Sequence, residues 1–258
     1  MKRLFLLLGL VVAGGVRADD LQLARQIMDG TMAELASHSD VWVVLSGTQT
    51  DGTTKTTFRY DLSIHHAPVN SRIVTWMELL DWQNGNLANR YAGDGTRFWT
   101  YNLGRKEYTS ADYSTSLYPG KEQQRLFQNL LRRSQGPETF LARLMIDSYM
   151  KFSTGQGSAW MPWRPSAQVA VGPNTIVCSS TSPVSNTLTY GFKQVPSIGY
   201  VFTGAEYYEE TVVSGKTRTT TWQVQVFQDQ VRQGSIYTFV PPVGSHAIAV
   251  SEAGGTGG

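Results

Sequence analysis

The residue types that most often carry catalysis or bind metal ions are few and scattered in this chain. Its histidines are His38, His65, His66 and His246, and its one cysteine is Cys178. Adjacent residues of a strand point to opposite faces of the sheet, so His65 and His66 cannot hold one metal ion together without a β-bulge. No histidine lies near Cys178 in the sequence, so a small buried strand residue is the simpler interpretation and a reactive thiol is the alternative.

The acidic residues Glu206, Glu209 and Glu210 form the other group that could do acid–base chemistry. On a strand, Glu206 and Glu210 share one face with Tyr208, whereas Glu209 takes the opposite face. This spacing favours a solvated strand edge over a general acid pair. The glycine-containing turn at 93–95 lies between two predicted strands, and no helix N-terminus follows that could receive a phosphate.

Together these patterns predict a protein without catalytic residues, metal site or cofactor. A hydrolase whose site assembles from scattered Ser, His and Asp residues stays open as an alternative, although no local signature supports it. A binding protein is therefore the expected class.

Large aromatic side chains at 93–113 lie in two extended runs joined by tight polar turns, the pattern of a β-meander. Phe98 and Trp99, and likewise Thr100 and Tyr101, point to opposite faces because side chains alternate along a strand. A sheet wetted on one face would carry polar residues there. Either both faces are covered, or one face lines an apolar cavity that a ligand or partner fills.

The elements that position these residues follow from the hydrophobic period. Helical spacing predicts a first helix at 21–37 and two further helices at 121–133 and 137–150. Alternation predicts strands at 41–45, 56–65, 72–80, 87–91, 175–180, 187–195, 200–208, 217–228 and 235–240. The stretch 151–173 has no period and is expected to form a long loop or lid.

This order of elements is typical of a single α+β domain at 19–250, in which a curved antiparallel half-barrel sheet is covered by a few helices. A flexible tail is expected at 251–258, because that segment is small and rich in glycine. No internal repeat stands out.

The first 18 residues have the pattern of a secretory signal peptide. Lys2 and Arg3 precede an apolar run at 4–12, and the residues at 16–18 suit a cleavage site. An apolar run of about nine residues is too short to span a bilayer, which takes about 20. We expect an exported, periplasmic or otherwise extracytoplasmic protein with no transmembrane segment in its mature form; a retained signal anchor is the alternative.

Removal of this segment changes the charge balance. It takes away Lys2, Arg3 and Arg17 and no acidic residue, which leaves 19 of the 22 basic residues against 20 acidic ones and a net charge of −1. No basic block remains that could neutralise a row of phosphates, so nucleic acid is not an expected partner. One cysteine cannot form an internal disulfide, so stability must come from the core.

Three segments together resemble a known family. A helix after the signal peptide leads into the first strand; residues 93–102 with Tyr108 resemble the pattern GDGKxxWxYxPxxxxV; and residues 237–244 are similar to FxFxPPxG. These patterns are typical of the periplasmic lipoprotein carrier superfamily, that is, LolA-like proteins with LolB and the sigma-factor regulator RseB. The resemblance implies a half-open antiparallel β-barrel with a helical lid, an apolar cavity between them, and non-catalytic transport or sensing of acylated cargo.

The residues expected to line the apolar pocket are Phe58, Tyr60, Trp76, Met77, Trp99, Tyr101, Phe127 and Phe140. Arg72, Trp160 and Trp163 are expected at a lid or gate. Of these, Arg72 comes from the resemblance, in which an arginine early in the strand series helps to close the lid. For each pocket residue, the alternative is that its side chain is packed in a closed core.

The predicted function is therefore binding of acyl chains, lipids or lipoproteins in an apolar pocket, with envelope proteins as possible further partners. The alternative from another class is a cell-envelope interaction or sensor module that has a closed core and no lipid ligand. Such a module would bind its partner through strand edges or an exposed loop.

Overall fold

The computed structural model describes residues 18–70, 72–112, 160–162, 166–181 and 184–248. Helix α1 runs over Ala18–Ser37, and the strands that follow are β1 (Asp40–Asp51), β2 (Thr54–Val69), β3 (Arg72–Gln83), β4 (Asn86–Gly93), β5 (Arg97–Asn102), β6 (Glu107–Asp112), β7 (Gln168–Val171), β8 (Thr175–Ser180), β9 (Ser185–Val195), β10 (Gly199–Val213), β11 (Lys216–Gln228) and β12 (His246–Ala247). The described part is thus mostly sheet with one helix.

The strands form one sheet in the order β12-β6-β5-β4-β3-β2-β1-β11-β10-β9-β8-β7. Neighbours are antiparallel except β12, which lies parallel to β6. The first strand, β1, pairs along most of its length with β11, the last long strand, so the two halves of the chain meet at the centre of the sheet. Within the described residues β7 and β12 are the two outer strands, so the curved sheet is open.

The predicted fold is confirmed at this level: an antiparallel curved sheet with a helix packed on it. The first predicted helix is present as α1, and the two-residue turn at Asn84 and Gly85 is present with positive φ angles of 49° and 78°. Such angles suit the tight turn of a hairpin. The two further helices predicted at 121–133 and 137–150 lie outside the described residues.

Two strand predictions are corrected. Residues 235–240 form no strand; they belong to an irregular segment at 229–245 that is held by side chains, and Pro241 and Pro242 have no N–H to donate to a ladder. Conversely, β7 falls inside the stretch at 151–173 that was expected to be a loop. Four residues are too few to display a period in the sequence.

The two faces of the sheet have different composition and different covers. The inner face is the one that carries Val43, Leu62 and Leu79, which are paired across β1, β2 and β3, and on it α1 packs over β10 and β7. The outer face is the one that carries Ser63 and Glu78. Side chains alternate between the two faces along every strand.

The core lies between α1 and the inner face. Its largest fully buried side chains are Met28, Leu35, Leu45, Leu62, Ile64, Met77, Leu79 and Ile176. Each contributes about 1.5–3 kcal/mol when it leaves water, so this face is the main source of stability. Cys178 is also buried here, at 2% exposure, and burial raises the pKa of its thiol to about 12. The prediction of a small buried strand residue is confirmed.

Gly47 of β1 leaves room for aromatic side chains on the inner face. It pairs with Phe58 on β2 and with Trp222 on β11. A Cβ atom at Gly47 would lie 2.5 Å from Phe58 Cζ, 2.6 Å from Trp222 Cβ and 2.3 Å from the carbonyl oxygen of Thr221. The carbonyl oxygen belongs to the strand ladder, so it cannot give way without disturbing the pairing of β1 with β11. The close approach of Phe58 and Trp222 to β1 therefore requires glycine at position 47.

The Gly47→Ala substitution is expected to lower the free energy of unfolding by about 1–3 kcal/mol, because the added methyl group overpacks the interior. Urea denaturation measures the change. Gly104→Ala is the matched control, since its Cβ would meet only Asn102 Oδ1 at 3.6 Å. The control is expected to stay within about 0.5 kcal/mol of the wild type. Equal losses in both variants would contradict this account of Gly47.

Candidate functional site

The inner face carries apolar rows that end in a polar row. One row joins Val41, Ile64, Met77 and Phe98 across the sheet, and the next joins Val43, Leu62, Leu79 and Tyr91. One pleat further along, Tyr60 on β2 is followed by Asp81 on β3, Asn89 on β4 and Asn102 on β5. On β3, β4 and β5 the face thus changes from apolar rows to a polar row.

A chain of hydrogen bonds runs through this polar row. The backbone N–H of Arg105 donates to Asn102 Oδ1 at 2.8 Å, Asn102 Nδ2 donates to Asn89 Oδ1 at 2.9 Å, and Asn89 Nδ2 donates to Asp81 Oδ2 at 2.7 Å. Asp81 is only 7% exposed, and its Oδ1 atom is buried without a hydrogen-bond partner. Burial raises the pKa of this carboxyl, and the hydrogen bond from Asn89 offsets only part of the rise.

The outer face is crossed by residues 229–248, which we call the C-terminal strap. Its anchor is Glu78, 2% exposed, in the middle of β3. Arg90 Nε donates to Glu78 Oε1 at 2.9 Å, Arg232 of the strap donates to Oε2, and the backbone N–H of Ile236 donates to Oε2 at 3.1 Å. These hydrogen bonds and ion pairs to one buried side chain tie the strap to the sheet at a fixed point.

Past this anchor, the strap places Phe239 on the aromatic residues of the meander. Phe239 is 5% exposed, and its ring centroid lies 5.2 Å from that of Tyr101 within a cluster that includes Trp99 and Ala92. The guanidinium carbon of Arg90 lies 5.6 Å from the centroid of the Phe239 ring. The strap therefore covers the outer face of the meander.

The register divides the predicted pocket residues between the two faces. Tyr60 and Met77, with the side chain of Phe58, belong to the inner face, whereas Trp76, Trp99 and Tyr101 belong to the outer face. One pocket lined by all six is thus ruled out, because neighbouring strand positions point in opposite directions. Trp76 packs against His65, with ring centroids 5.2 Å apart. Phe127 and Phe140 lie outside the described residues.

The three residues predicted at a gate have separate positions. Trp160 is 5% exposed and belongs to the core; its ring packs edge-on against Tyr190 at 5.4 Å, and its backbone N–H donates to Asp29 Oδ1 of α1 at 3.3 Å. Arg72 is the first residue of β3, which lies several strands away from β9, the strand that Trp160 contacts. Trp163 lies outside the described residues. A gate role for them stays a prediction.

An open groove of about 650 Å³ lies on the outer face, on the half of the sheet that the strap does not reach. Its lining side chains come from five neighbouring strands and include Thr48, Thr57, Thr187, Glu206, Tyr208 and Gln223. In the part of the chain that the structure describes, the lining holds no lysine or arginine. Hydroxyl-bearing side chains are the most numerous, and Phe58, Tyr207 and Trp222 add aromatic surface. Sequence reasoning missed this groove, although alternate threonines on paired strands were the available signal.

The acidic group of β10 borders this groove. Glu206, Tyr208 and Glu210 share the outer face as expected, but β10 lies between β9 and β11, so the predicted strand edge is wrong. Tyr208 donates its hydroxyl to Glu210 Oε2 at 2.8 Å, and that hydrogen bond raises the pKa of the phenol. These carboxylates are solvated side chains of a central strand.

A histidine links the end of α1 to the start of the strap. His38 contacts Glu34 Oε1 through Nε2 at 2.7 Å and Asp229 Oδ1 through Nδ1 at 3.1 Å, while Gln228 donates to Glu34 Oε2 at 2.7 Å. Burial lowers the pKa of His38, but the hydrogen bonds and negative charges of Glu34 and Asp229 outweigh it, so the pKa is raised.

The positions of His65 and His66 bear on the metal chemistry considered from the sequence. His65 and His66 point to opposite faces: His65 Nδ1 lies 2.8 Å from Asp40 Oδ1 on the outer side, and His66 is 4% exposed on the inner side. No group of three His, Cys, Asp or Glu side chains suited to a metal ion occurs among the described residues. No helix in the described ranges has the length and apolar character needed to cross a membrane.

Comparison with known proteins identifies no family. No protein-family model matches the chain, and no curated protein matches it. Similar solved structures include a DUF1329 family protein from Desulfovibrio piger, with 8% identity over 81% of this chain and 93% of that chain at a TM-score of 0.33. LprF from Mycobacterium bovis is 12% identical over 83% and 97% of the two chains at a TM-score of 0.26. The MucA/MucB complex of Pseudomonas aeruginosa gives 5% identity over 83% and 100% at a TM-score of 0.11. Similarities this distant assign no function.

The Arg232→Ala substitution is expected to destabilise the protein by about 3 kcal/mol, because it leaves the buried carboxylate of Glu78 short of one partner and releases the strap. Urea unfolding measures the loss, and hydrogen exchange of residues 229–248 should become faster. Arg105→Ala is the control, since that side chain is 57% exposed and lies 4.0 Å from Glu107; it should cost less than about 1 kcal/mol. An unchanged exchange rate in the Arg232 variant would contradict the anchor role.

The His38 contacts predict a pH-dependent contribution to stability. Because the folded-state pKa is raised above the unfolded value, the contribution is fully present below the unfolded pKa of about 6.5 and is lost as the pH rises through the folded pKa. The stability difference between wild type and His38→Gln should therefore be larger at pH 5.5 than at pH 9. His246→Gln is the control, because that imidazole is 61% exposed. A difference for His38 that grows with pH would refute the assignment.

Proposed function

We propose that this protein is an exported, non-catalytic binding protein that holds the acyl chain of a lipid or of a lipidated partner against the inner face of its sheet. The observation that supports the proposal is the pattern of that face, two apolar rows that end in a polar row. An acyl ligand has the same division, a hydrocarbon chain attached to a polar head. The resemblance of residues 93–102 and 237–244 to lipoprotein carriers motivates the same conclusion independently.

The mechanism is burial of hydrocarbon. Each methylene that leaves water contributes about 0.8 kcal/mol, so ten of them contribute about 8 kcal/mol. That is about the free energy of a micromolar complex, before the costs of association are subtracted. Ile64 and Leu62 are fully buried, so a chain enters only where an element over the inner face separates from it. Release would require the same separation and would lose the same contacts.

A second function, a cell-envelope interaction module with a closed core, is favoured by a different observation. The inner face is filled where it is described, with Leu62 and Ile64 at 0% exposure and Met77 at 1%. The outer-face groove is open and lined by hydroxyl-bearing and aromatic side chains, so a partner could bind there while the core stays closed. This alternative requires no lipid.

Photolabelling separates the two functions. The protein purified from its native host is extracted with organic solvent for lipid analysis, then incubated with a diazirine-bearing fatty acid and irradiated. We expect copurified lipid and labelled peptides from β2 and β3 that contain inner-face residues such as Ile64 and Met77. Excess unlabelled fatty acid should suppress the labelling, and Thr221→Trp, which fills the outer groove, should leave it unchanged. No lipid and no saturable label, or label confined to groove residues such as Thr48, Thr187 and Gln223, would reject the acyl-binding function and favour the interaction module.

A further inference from the structure

Asp81 differs from the other buried carboxylates of the described residues. Glu34 is paired with His38, Asp61 with an arginine, and Glu78 with two arginines. Asp81 is equally buried, but it receives one hydrogen bond from Asn89 and keeps its Oδ1 without a partner. An unsatisfied buried acceptor costs about 1–3 kcal/mol, a cost that folded proteins usually avoid.

Asp81 lies on the inner face of the sheet, next to an irregularity in the pairing of β3 with β4. The pairing of β3 with β4 shifts by a β-bulge between Asp81 and Trp82, and a bulge re-aims the side chains beside it. Asp81 pairs with Tyr60 on β2 and follows Leu79, a fully packed residue of the apolar row, by one repeat along its own strand. The unpaired oxygen thus sits where the apolar row ends.

The hydrogen-bond chain also determines which partner the free oxygen can take. The N–H of Arg105 fixes the oxygen of Asn102 toward itself, and this orients the amide groups of Asn102 and Asn89 so that both donate toward Asp81. Oδ2 is therefore the acceptor, and a proton on this carboxyl resides on Oδ1. Burial, which raises the pKa, favours that neutral form. A neutral carboxyl donates through Oδ1 and seeks a carbonyl oxygen.

We propose that Asp81 recognises the polar head of the acyl ligand, by donating a hydrogen bond from Oδ1 to the carbonyl oxygen of an acyl ester or amide whose chain lies along the apolar rows. This inference rests on the proposed acyl-binding function and adds the chemical class of the head group. Because this oxygen is buried, only a group held against the inner face can reach it. Free carboxylates, which offer no neutral carbonyl, bind less tightly than esters.

The groups that face Asp81 on the inner side are few among the described residues. These groups are the phenol of Tyr60 on β2 and the amide of Asn89 on β4. The charged side chains nearest in sequence and register form two ion pairs on the outer face, Arg59 with Asp61 and Arg90 with Glu78. A change in ester binding with pH is therefore assigned to the carboxyl of Asp81.

The test compares two probes of equal chain length, a long-chain methyl ester and the matching alkane, by displacement of a fluorescent fatty-acid probe. The wild type should bind the ester about 10-fold more tightly than the alkane, since the site loses a buried hydrogen bond with the alkane. Asp81→Leu should abolish the preference. Asp81→Asn should retain it, because the amide oxygen still accepts from Asn89 while the amide N–H donates to the ester.

The pH profile gives a second readout. The ester preference of the wild type should decline as the pH rises and the Asp81 carboxyl ionises, whereas that of Asp81→Asn should stay constant. Glu206→Gln, a carboxylate of the outer groove, is the control and should match the wild type throughout. If Asp81→Leu does not fold, as judged by circular dichroism, this comparison alone decides.

Each outcome separates the inference from the function on which it rests. Wild-type protein that binds ester and alkane equally overturns the role of Asp81 and leaves acyl binding in place. Identical pH profiles for wild type and Asp81→Asn likewise overturn the role of Asp81 and leave acyl binding in place. Wild-type protein that binds neither probe overturns both.

Discussion

The buried carboxylate of Glu78 is the interaction on which the outer half of this structure depends. At 2% exposure a carboxylate is stable only with matched donors, and here they come from Arg90 on the neighbouring strand and from Arg232 and Ile236 of the strap. Two parts of the chain distant in sequence are thereby held together. Because the strap is fixed at this point, Phe239 reaches Tyr101 and the meander is shielded from water.

The alternation of side chains along each strand turns one sheet into surfaces with separate properties. The inner face is largely apolar, with α1 packed over β10 and β7 and a polar row on β3 to β5. The outer face is covered by the strap on one half and open as a groove on the other. The acyl binding that we propose uses the first surface, and the alternative that we propose, binding of a partner protein, uses the last. The two functions are separable because they use opposite faces of the same strands.

Sequence patterns predicted the elements well where the pattern was long. Helix α1 and strands such as β9 and β11 show many repeats of their period, so their existence followed from the residues alone. The errors came from short or ambiguous runs: β7 has four residues, and 235–240 alternates like a strand but is followed by Pro241 and Pro242. For the candidate site, Trp76 and Met77 are adjacent on one strand, so alternation itself argued against placing both in one pocket.

What the sequence by itself determined is the antiparallel α+β character of the chain and the presence of bulky residues on both faces of its meander, since both follow from local periodicity. Only the tertiary structure decided what covers each face, which aromatic residues share a surface, and that Asp81 is buried with one oxygen unpaired. Those features arise from the register between strands far apart in the chain and from a β-bulge. Pairing energies of that kind depend on partners that no local pattern identifies.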